Sequence, residues 1–496
     1  MEGVNVLFLE LGREQKPSRC SVQMNFECRS LYLFFGNCGI RAMKTVLQSA
    51  TASIKRRQPV LLGFRTKLSL TTWEQAELSP GILNLGIGQP ALSLLPTAEV
   101  HRAVAQLSTF DARHLLQYGS IAGSGHYLDA TSSFLSQQHG YHIPPDTLFA
   151  TPGNSGGLAL TVRTLTHPGD TMLMEDPSYF LAHALFRDYG LSLTAVPQRQ
   201  DGGGTLDIDA LSHILRSLSD EGRVTRPAEP SKAAQLDSHP KLLYCVPTGN
   251  NPRGATMPDA DRAALVELCT VHGMTIVADD VYECLQWERR AAPKPLRWHA
   301  RQQGVGSTVV SLGSWSKLLG PGLRLGWVEA EPALLARFGA DGEVHSGSLT
   351  SPFIECLVTK LLVSGDGAAH VVQLREALAR RAARLTAAID AEQPTGTPSL
   401  ICPSPSAGYF LWVDLRGVDA SKLREACVAR HGVSFLPGPR CALPSSTSAP
   451  GRAPGPWASR GRVCFAFLEE EEMVEAGRRL GRAIAEAARE ASSPSA

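Results

Sequence analysis

Residues Ser311–Trp327 read SLGSWSKLLGPGLRLGW, and this stretch decides how the rest of the chain is read. An apolar, β-rich run, Thr308–Leu312, leads into a short loop that holds Ser314, Ser316, Lys317 and Arg324. Two hydroxyls and a guanidinium beside one lysine make a phosphate cradle, because arginine grips phosphate with two parallel hydrogen bonds and the hydroxyls add neutral donors. Gly320, Pro321 and Gly322 force a turn that brings Arg324 back towards Lys317. A lysine attacks a carbonyl carbon only as the free amine, so its pKa must fall for that chemistry. A neighbouring cation and partial burial both push it down. For this stretch alone, the plain alternative is a solvated lysine in a Gly-rich surface loop.

Outward from this loop the pattern is α/β. Short apolar runs at Thr171–Met174, Leu242–Val246 and Thr275–Ala278 alternate with helical stretches such as Leu158–Leu165 and Ala260–His272. That alternation predicts βαβ units and a parallel sheet, with ligands at the carboxyl ends of the strands. After about Ala340 the order changes to one long helix, Thr359 to Ala391, and then strands at Tyr409–Leu415 and Arg462–Phe467, which predicts a smaller α+β domain. With 496 residues, the chain exceeds the roughly 250–300 at which a single core stops growing. The expected division is a leader over 1–75, a large domain over 76–340 with an N-terminal arm over 76–100, a small domain over 341–485, and a disordered tail over 486–496. Asp220–Lys241 and Leu443–Gly461 have the Pro-, Ser- and Ala-rich composition of surface insertions.

Composition excludes several classes. Lys plus Arg number 48 against 47 for Asp plus Glu, which gives no basic footprint for nucleic acid. The eleven cysteines lie scattered without C-x-x-C or metal-ligand spacing, so neither a metal site nor a disulfide scaffold is expected. No apolar run approaches the roughly 18–20 residues that cross a bilayer, so no membrane partner is expected and a small molecule is the better candidate. The leader differs from the rest: no acidic residue lies between Glu27 and Glu74, whereas Arg29, Arg41, Lys44, Lys55, Arg56, Arg57, Arg65 and Lys67 do. Basic, Ser-containing and acid-poor composition suits an organelle transit peptide, and a basic leader without an address is the equal alternative. Mitochondrial and cytoplasmic locations both follow from that reading.

S-x-S-K followed by P-G-x-R resembles the cofactor-lysine segment of fold-type I pyridoxal-phosphate enzymes, in their class I/II aminotransferase branch. The resemblance extends over roughly residues 83–480 because the family's other stations follow in order. It implies a large domain with a mostly parallel seven-stranded sheet between helices, a smaller α+β C-terminal domain, and pyridoxal 5'-phosphate held as a Schiff base on Lys317. Asp279, in TIVADDVYECL, matches the aspartate that keeps the pyridine nitrogen protonated, and D-x-x-Y brings Tyr282 with it; Asp280 is the neighbour that could be confused with it. Asn251, in CVPTGNNPRG, matches the asparagine that, with Tyr282, donates to the ring's phenolic oxygen. Arg253 departs from the usual threonine there. In TPGNSGGLAL, Thr151 to Leu160, Asn154 and Ser155 match phosphate contacts at the start of a helix, where backbone N–H groups favour an anion.

Tyr179, in EDPSYF, matches the aromatic residue stacked on the cofactor ring. Tyr118, in LLQYGSIAGSG, matches a tyrosine that reaches the phosphate across a subunit interface and so implies a homodimer, although Asp129 stands where the family has an arginine. Arg462, in GRVCFAF, matches the arginine that binds the substrate α-carboxylate, with Arg460 close by, and Gly88, in NLGIGQP, matches the glycine of a loop over the substrate. Singly, each station has a plain explanation as a turn, a helix cap or a core aromatic.

The implied reaction moves an amino group from an α-amino acid to a 2-oxo acid such as 2-oxoglutarate, with Lys317 as base and acid. PSYFLAHALFRDYG and the Q-Y-G and G-Y-F-L-W stretches resemble the 2-aminoadipate and kynurenine aminotransferase subgroup, which accepts aromatic and long-chain amino acids. A carbon–sulfur β-lyase uses the same lysine and aspartate and is the alternative enzyme. A regulatory protein with an aminotransferase-like sensor is the alternative outside catalysis, but it needs a DNA-binding domain ahead of Leu83, where the chain is short and irregular.

Overall fold

A computed structural model describes residues 81–199, 203–220, 241–288, 292–394, 405–443 and 455–492, together with three strands nearer the start. Most of both expected insertions, 221–240 and 444–454, lies outside the described residues, as does most of the leader. Met1–Glu74 and Gln75–Ala496 form separate compact units. In the first, β1 (Leu11–Gly12), β2 (Cys20–Phe26) and β3 (Arg29–Phe35) pair as an antiparallel sheet. The leader, read as irregular from its composition, therefore contains a hairpin: two runs rich in β-formers are separated by only Glu27 and Cys28.

The second unit opens with β4 (Leu83–Asn84). It then builds a sheet from β5 (Leu148–Thr151), β6 (Thr171–Asp176), β7 (Ser192–Pro197), β8 (Leu242–Cys245), β9 (Thr275–Asp279), β10 (Val309–Ser314) and β11 (Gly326–Glu329). The spatial order is β5-β11-β10-β9-β8-β6-β7, and only β11 runs antiparallel to its neighbours. The central strands are apolar without alternation because both faces are covered. Met172 and Met174 face one hydrophobic cluster while Leu173 faces the other, and Tyr244 and Leu243 divide in the same way. Of the covering helices, α1 (Gly125–His139), α2 (Gly153–Leu165) and α3 (Phe180–Asp188) join the first cluster, and α4 (Asp259–Val271) joins the second.

A smaller antiparallel sheet follows, β12 (Phe410–Asp414), β15 (Arg460–Cys464) and β14 (Leu436–Pro437), while β13 (Val433–Ser434) pairs parallel with β4. Three of the expected boundaries move. The single helix from Thr359 to Ala391 is two, α5 (Pro352–Val363) and α6 (Asp366–Asp390), because Gly365 sits at φ +82°, where a helix cannot continue. The tail expected from 486 is helical, since α7 runs Glu470–Ser492. Its first turn carries Glu470, Glu471 and Glu472 and its last turn Arg489, which suits the helix dipole at both ends. Gly477 lets α7 approach α6 so closely that a Cβ there would meet Leu385 Cδ1 at 2.8 Å.

The boundary at 340/341 also does not separate compact units: Leu148 and Phe149 share one hydrophobic cluster with Leu378, Leu385 and Val463. The end of the second insertion is packed as well, with Trp457 buried against Trp412. No described helix is long and apolar enough to cross a membrane.

Candidate active site

The carboxyl ends of the parallel strands converge as the βαβ pattern requires. β9 ends at Asp279, β10 ends at Ser314 just before Lys317, β5 turns into α2, and β6 turns through Tyr179 into α3. Register places Leu312 beside Asp279, so the carboxylate and the lysine leave neighbouring strands.

Lys317 is partly buried, and its Nζ donates to the Gly88 carbonyl at 2.7 Å. The amine is pushed down to about 8, chiefly by burial and further by the cations of Arg462 and Arg324, with Asp279 opposing. The expectation of a depressed lysine holds, but burial outweighs the Arg324 charge. The Lys317 backbone is pinned from the other side, where Tyr409 Oη donates to its carbonyl at 2.8 Å.

Asp279 is buried, and its Oδ2 accepts from Tyr244 Oη at 2.6 Å and from Asn154 Nδ2 at 2.9 Å. Burial raises its pKa, and these two donors act against that rise. Its Oδ1 has no hydrogen-bond partner among the described residues. A buried acceptor left open in this way is costly unless a donor meets it. Asp280 also leaves its Oδ1 without a partner among the described residues, but its Oδ2 accepts from Ser311 on β10, whereas Asp279 is held by Asn154 at the start of α2.

Around the start of α2 the structure gathers an anion cradle. Gly153 stands at φ +76°, and a Cβ built there would lie 3.4 Å from Arg324 Nη2, so that guanidinium rests over the first turn of the helix. Arg324 itself takes the left-handed conformation at φ +47° and donates to Pro321 O at 3.3 Å, which is how the Gly-Pro-Gly turn folds it back. Ser314 Oγ accepts from Ser316 N at 3.1 Å, and Ser155 is exposed in the same helical turn that begins at Gly153. The Asn154 side-chain amide holds Asp279, which leaves its main-chain N–H at the start of α2 for the anion contact expected of it.

Tyr179 is the N-cap of α3 and sits where the charges of Asp279, Arg462 and Arg324 all act on it; burial pushes its hydroxyl up to about 12. Tyr282 is buried with its ring 5.4 Å from Tyr409 and 6.2 Å from Phe410. Tyr118 lies away from this cluster, 85 % exposed, with its ring packed on Gly347.

At the other end, Arg462 on β15 is buried. Its Nη1 donates to Asn251 Oδ1 at 2.8 Å and its Nη2 to Gly86 O at 2.6 Å. The guanidinium stacks 4.1 Å from the Phe410 ring, and its Nε has no partner among the described residues. Arg460, by contrast, pairs with Asp414 at 3.1 Å. Gly88 lies against Phe410, where a Cβ would come within 2.8 Å of Cζ. Arg253, at the departure from the family's threonine, is buried and donates to Gln198 Oε1 at 3.4 Å and Arg199 O at 3.0 Å, so it does not compete with Asn251 for the site.

Sequence reasoning missed Tyr244, Tyr409 and Gly86. Tyr244 had a signal, since it is the one hydroxyl in the otherwise apolar run Leu242–Val246, on the same face as the strand-end carboxylate. Gly86 acts through its carbonyl, and a backbone role leaves no mark in residue type.

The open Asp279 oxygen, the Arg324–α2 cradle and the depressed Lys317 fit pyridoxal phosphate, which presents one ring N–H, one phosphate and one carbonyl carbon. Comparison with known proteins agrees. The family described as aminotransferase class I and II matches residues 80–480. The 2-aminoadipate transaminase of Thermus thermophilus is 29% identical over 411 residues, covering 82% of this chain and 90% of that protein. The mitochondrial kynurenine/alpha-aminoadipate aminotransferase of Bos taurus is 28% identical over 458 residues, covering 88% and 98%. Among solved structures, the alpha-aminoadipate aminotransferase of Thermus thermophilus in complex with N-(5'-phosphopyridoxyl)-L-leucine superposes with a TM-score of 0.67 at 28% identity, covering 82% of this chain and 93% of that one.

Proposed function

Because the chain belongs to the class I and II aminotransferase family, whose cofactor is pyridoxal phosphate, we propose that Lys317, Asp279 and Arg462 carry transamination between an α-amino acid and a 2-oxo acid. The observation that supports this assignment most directly is the buried Asp279 Oδ1 without a partner. It would hold the proton on the cofactor's ring nitrogen, while Tyr244 and Asn154 keep the carboxylate in place.

Arg324, Ser314, Ser316 and the first N–H groups of α2, those of Asn154 and Ser155 among them, would hold the phosphate. Tyr179 covers the ring, and Tyr282 and the Asn251 amide serve its phenolic oxygen. When bound, the cofactor supplies an electron sink for charge developing at the substrate Cα.

The chain's own groups do the rest. Arg462 has a free Nε–H beside its Nη groups, which suits a carboxylate held by two parallel bonds and so orients the Cα–H bond. Lys317 Nζ then takes the proton from Cα and returns it elsewhere, acting as base and acid in turn. Gly88, packed against Phe410, would cover the substrate side. The amino donor belongs to the 2-aminoadipate, aromatic or long-chain aliphatic set, with 2-oxoglutarate as an acceptor.

The exposed Tyr118 supports a homodimer in which it serves the partner's phosphate site. Sedimentation of the holoenzyme checks that assembly, and a Tyr118→Phe variant with weakened cofactor retention is the expected result. The acid-poor leader, together with a mitochondrial relative, supports an organelle address, which a fusion of residues 1–75 to a fluorescent reporter tests. For the reaction itself, the visible spectrum of the holoenzyme is read before and after an α-amino acid. A band that shifts and returns with 2-oxoglutarate is expected. Release of pyruvate and ammonia from cysteine conjugates without an oxo acid, and no such spectral return, would assign a lyase instead.

A further inference from the structure

Phe180 opens α3 directly after Tyr179, and two guanidinium groups face its ring. Arg462 Cζ lies 5.7 Å from the ring centroid and Arg440 Cζ lies 5.8 Å from it. The two arginines are therefore separated by at most about 11.5 Å, the sum of those two distances. The segment that carries Arg440 is tied to the site edge, since Ser178 N donates to Cys441 O at 2.9 Å and Leu443 N to Asp176 Oδ1 at 2.8 Å. Arg440 is thus held beside the turn that presents Tyr179 and Phe180.

The charges of the site leave Arg440 over. Arg324 sits on the anion cradle at α2, and Lys317 and Arg462 are engaged with Gly88, Asn251 and Gly86. Arg440 is exposed and, among the described residues, makes no hydrogen bond and pairs with no carboxylate. Asp176, the acid beside this segment, accepts instead from Leu443 N and from Trp457 Nε1 at 3.5 Å. Uncompensated like charges around one apolar ring are unfavourable unless an anion joins them.

We propose that Arg440 is the specificity-determining residue that takes the distal carboxylate of a dicarboxylic substrate, while Arg462 takes the carboxylate next to the reacting carbon. This deepens the transamination reading and rests on it. The reach agrees. An extended five- or six-carbon dicarboxylate sets its carboxyl carbons roughly 5–6 Å apart. A guanidinium carbon sits about 4 Å from a carboxylate that it holds. End to end that is about 13–14 Å, more than the about 11.5 Å that bounds the separation, so one such molecule reaches both arginines with its contacts made at an angle and the Phe180 ring beside its methylene groups. The substrate class is a 2-oxo dicarboxylate and the matching amino dicarboxylate.

The test uses the holoenzyme and two acceptors alike except at the far end, 2-oxohexanedioate and 2-oxohexanoate. Arg440→Gln is expected to raise KM for the dicarboxylate about tenfold, as loss of a partly solvated charge-assisted bond does. It should leave kcat, and the KM of the monocarboxylate, within about twofold, with Arg440→Lys recovering part of the loss. Calorimetry with unreactive glutarate and valerate gives a second reading that does not depend on turnover. Wild type should prefer glutarate, and Arg440→Gln should lose that preference. An equal loss for both acceptors, or a glutarate preference that survives in the variant, overturns the proposal. A wild-type protein that converts neither acceptor yet binds glutarate through Arg440 would break the transamination reading and leave this site standing.

Discussion

At the cofactor end of the site, Asp279 and Lys317 leave adjacent parallel strands, and Tyr244 and Asn154, which hold Asp279, come from the same sheet edge, while the Lys317 amine reaches out to Gly88 O. At the substrate end, Arg462 is gathered with Asn251 and Gly86, which lie 211 and 376 positions away in the chain, and with Phe180 from a third segment. The first end is a product of strand register inside a core buried on both faces. The second is assembled where the small sheet meets the large one, and Arg440 reaches it from a segment leading into residues of insertion-like composition. Chemistry that must not vary sits on the rigid edge, and discrimination between substrates sits on parts that packing constrains less.

Breaking the cofactor end should cost most. Lys317→Ala removes the group that moves the Cα proton, and a loss in kcat of about 10⁴-fold is expected, the upper end for general acid–base catalysis. Circular dichroism of that variant should match wild type, since the Lys317 side chain contributes one hydrogen bond to Gly88 O and an amine contact with the Tyr409 ring; full activity would sink the assignment. Asp279→Ala comes next. A loss of about 10²-fold, on the scale of one preorganised electrostatic partner, should appear in kcat while the KM of the oxo acid changes little. A change confined to KM would place Asp279 at the substrate end instead.

The pH response sharpens the same comparison. Lys317 reacts only as the free amine and titrates at about 8. The rate at which apoprotein takes up pyridoxal phosphate should therefore rise about tenfold per pH unit below that value and level off above it. A rate still climbing steeply at pH 10 would mean that burial does not depress the amine. Tyr244→Phe is the smallest cut. It removes one donor to Asp279, worth about 1 kcal/mol, and should slow turnover about fivefold. No change at all would mean that Asn154 alone holds the carboxylate.

Much of the cofactor end is legible in residue types. A strand-end aspartate, a lysine just after two serines and a Gly-Pro-Gly turn are features whose chemistry is local, and the structure brings them together. The loop glycine at 88 and Arg462 were also readable, although the carbonyl of Gly86 that steadies Arg462 was not. Asn154 was legible as a site residue, but which partner its amide takes was not.

What the chain determined by itself was the α/β alternation, the seven-stranded scaffold's core strands and the choice of residues proposed as reactive groups, because periodicity and side-chain chemistry are properties of short windows. What only the tertiary structure decided was the break at Gly365, the helical end of α7, the continuity of one core across the expected boundary, and the pairing of Arg462 and Arg440 about Phe180. These depend on contacts between segments far apart in the chain and on backbone conformation, neither of which any single window of sequence contains.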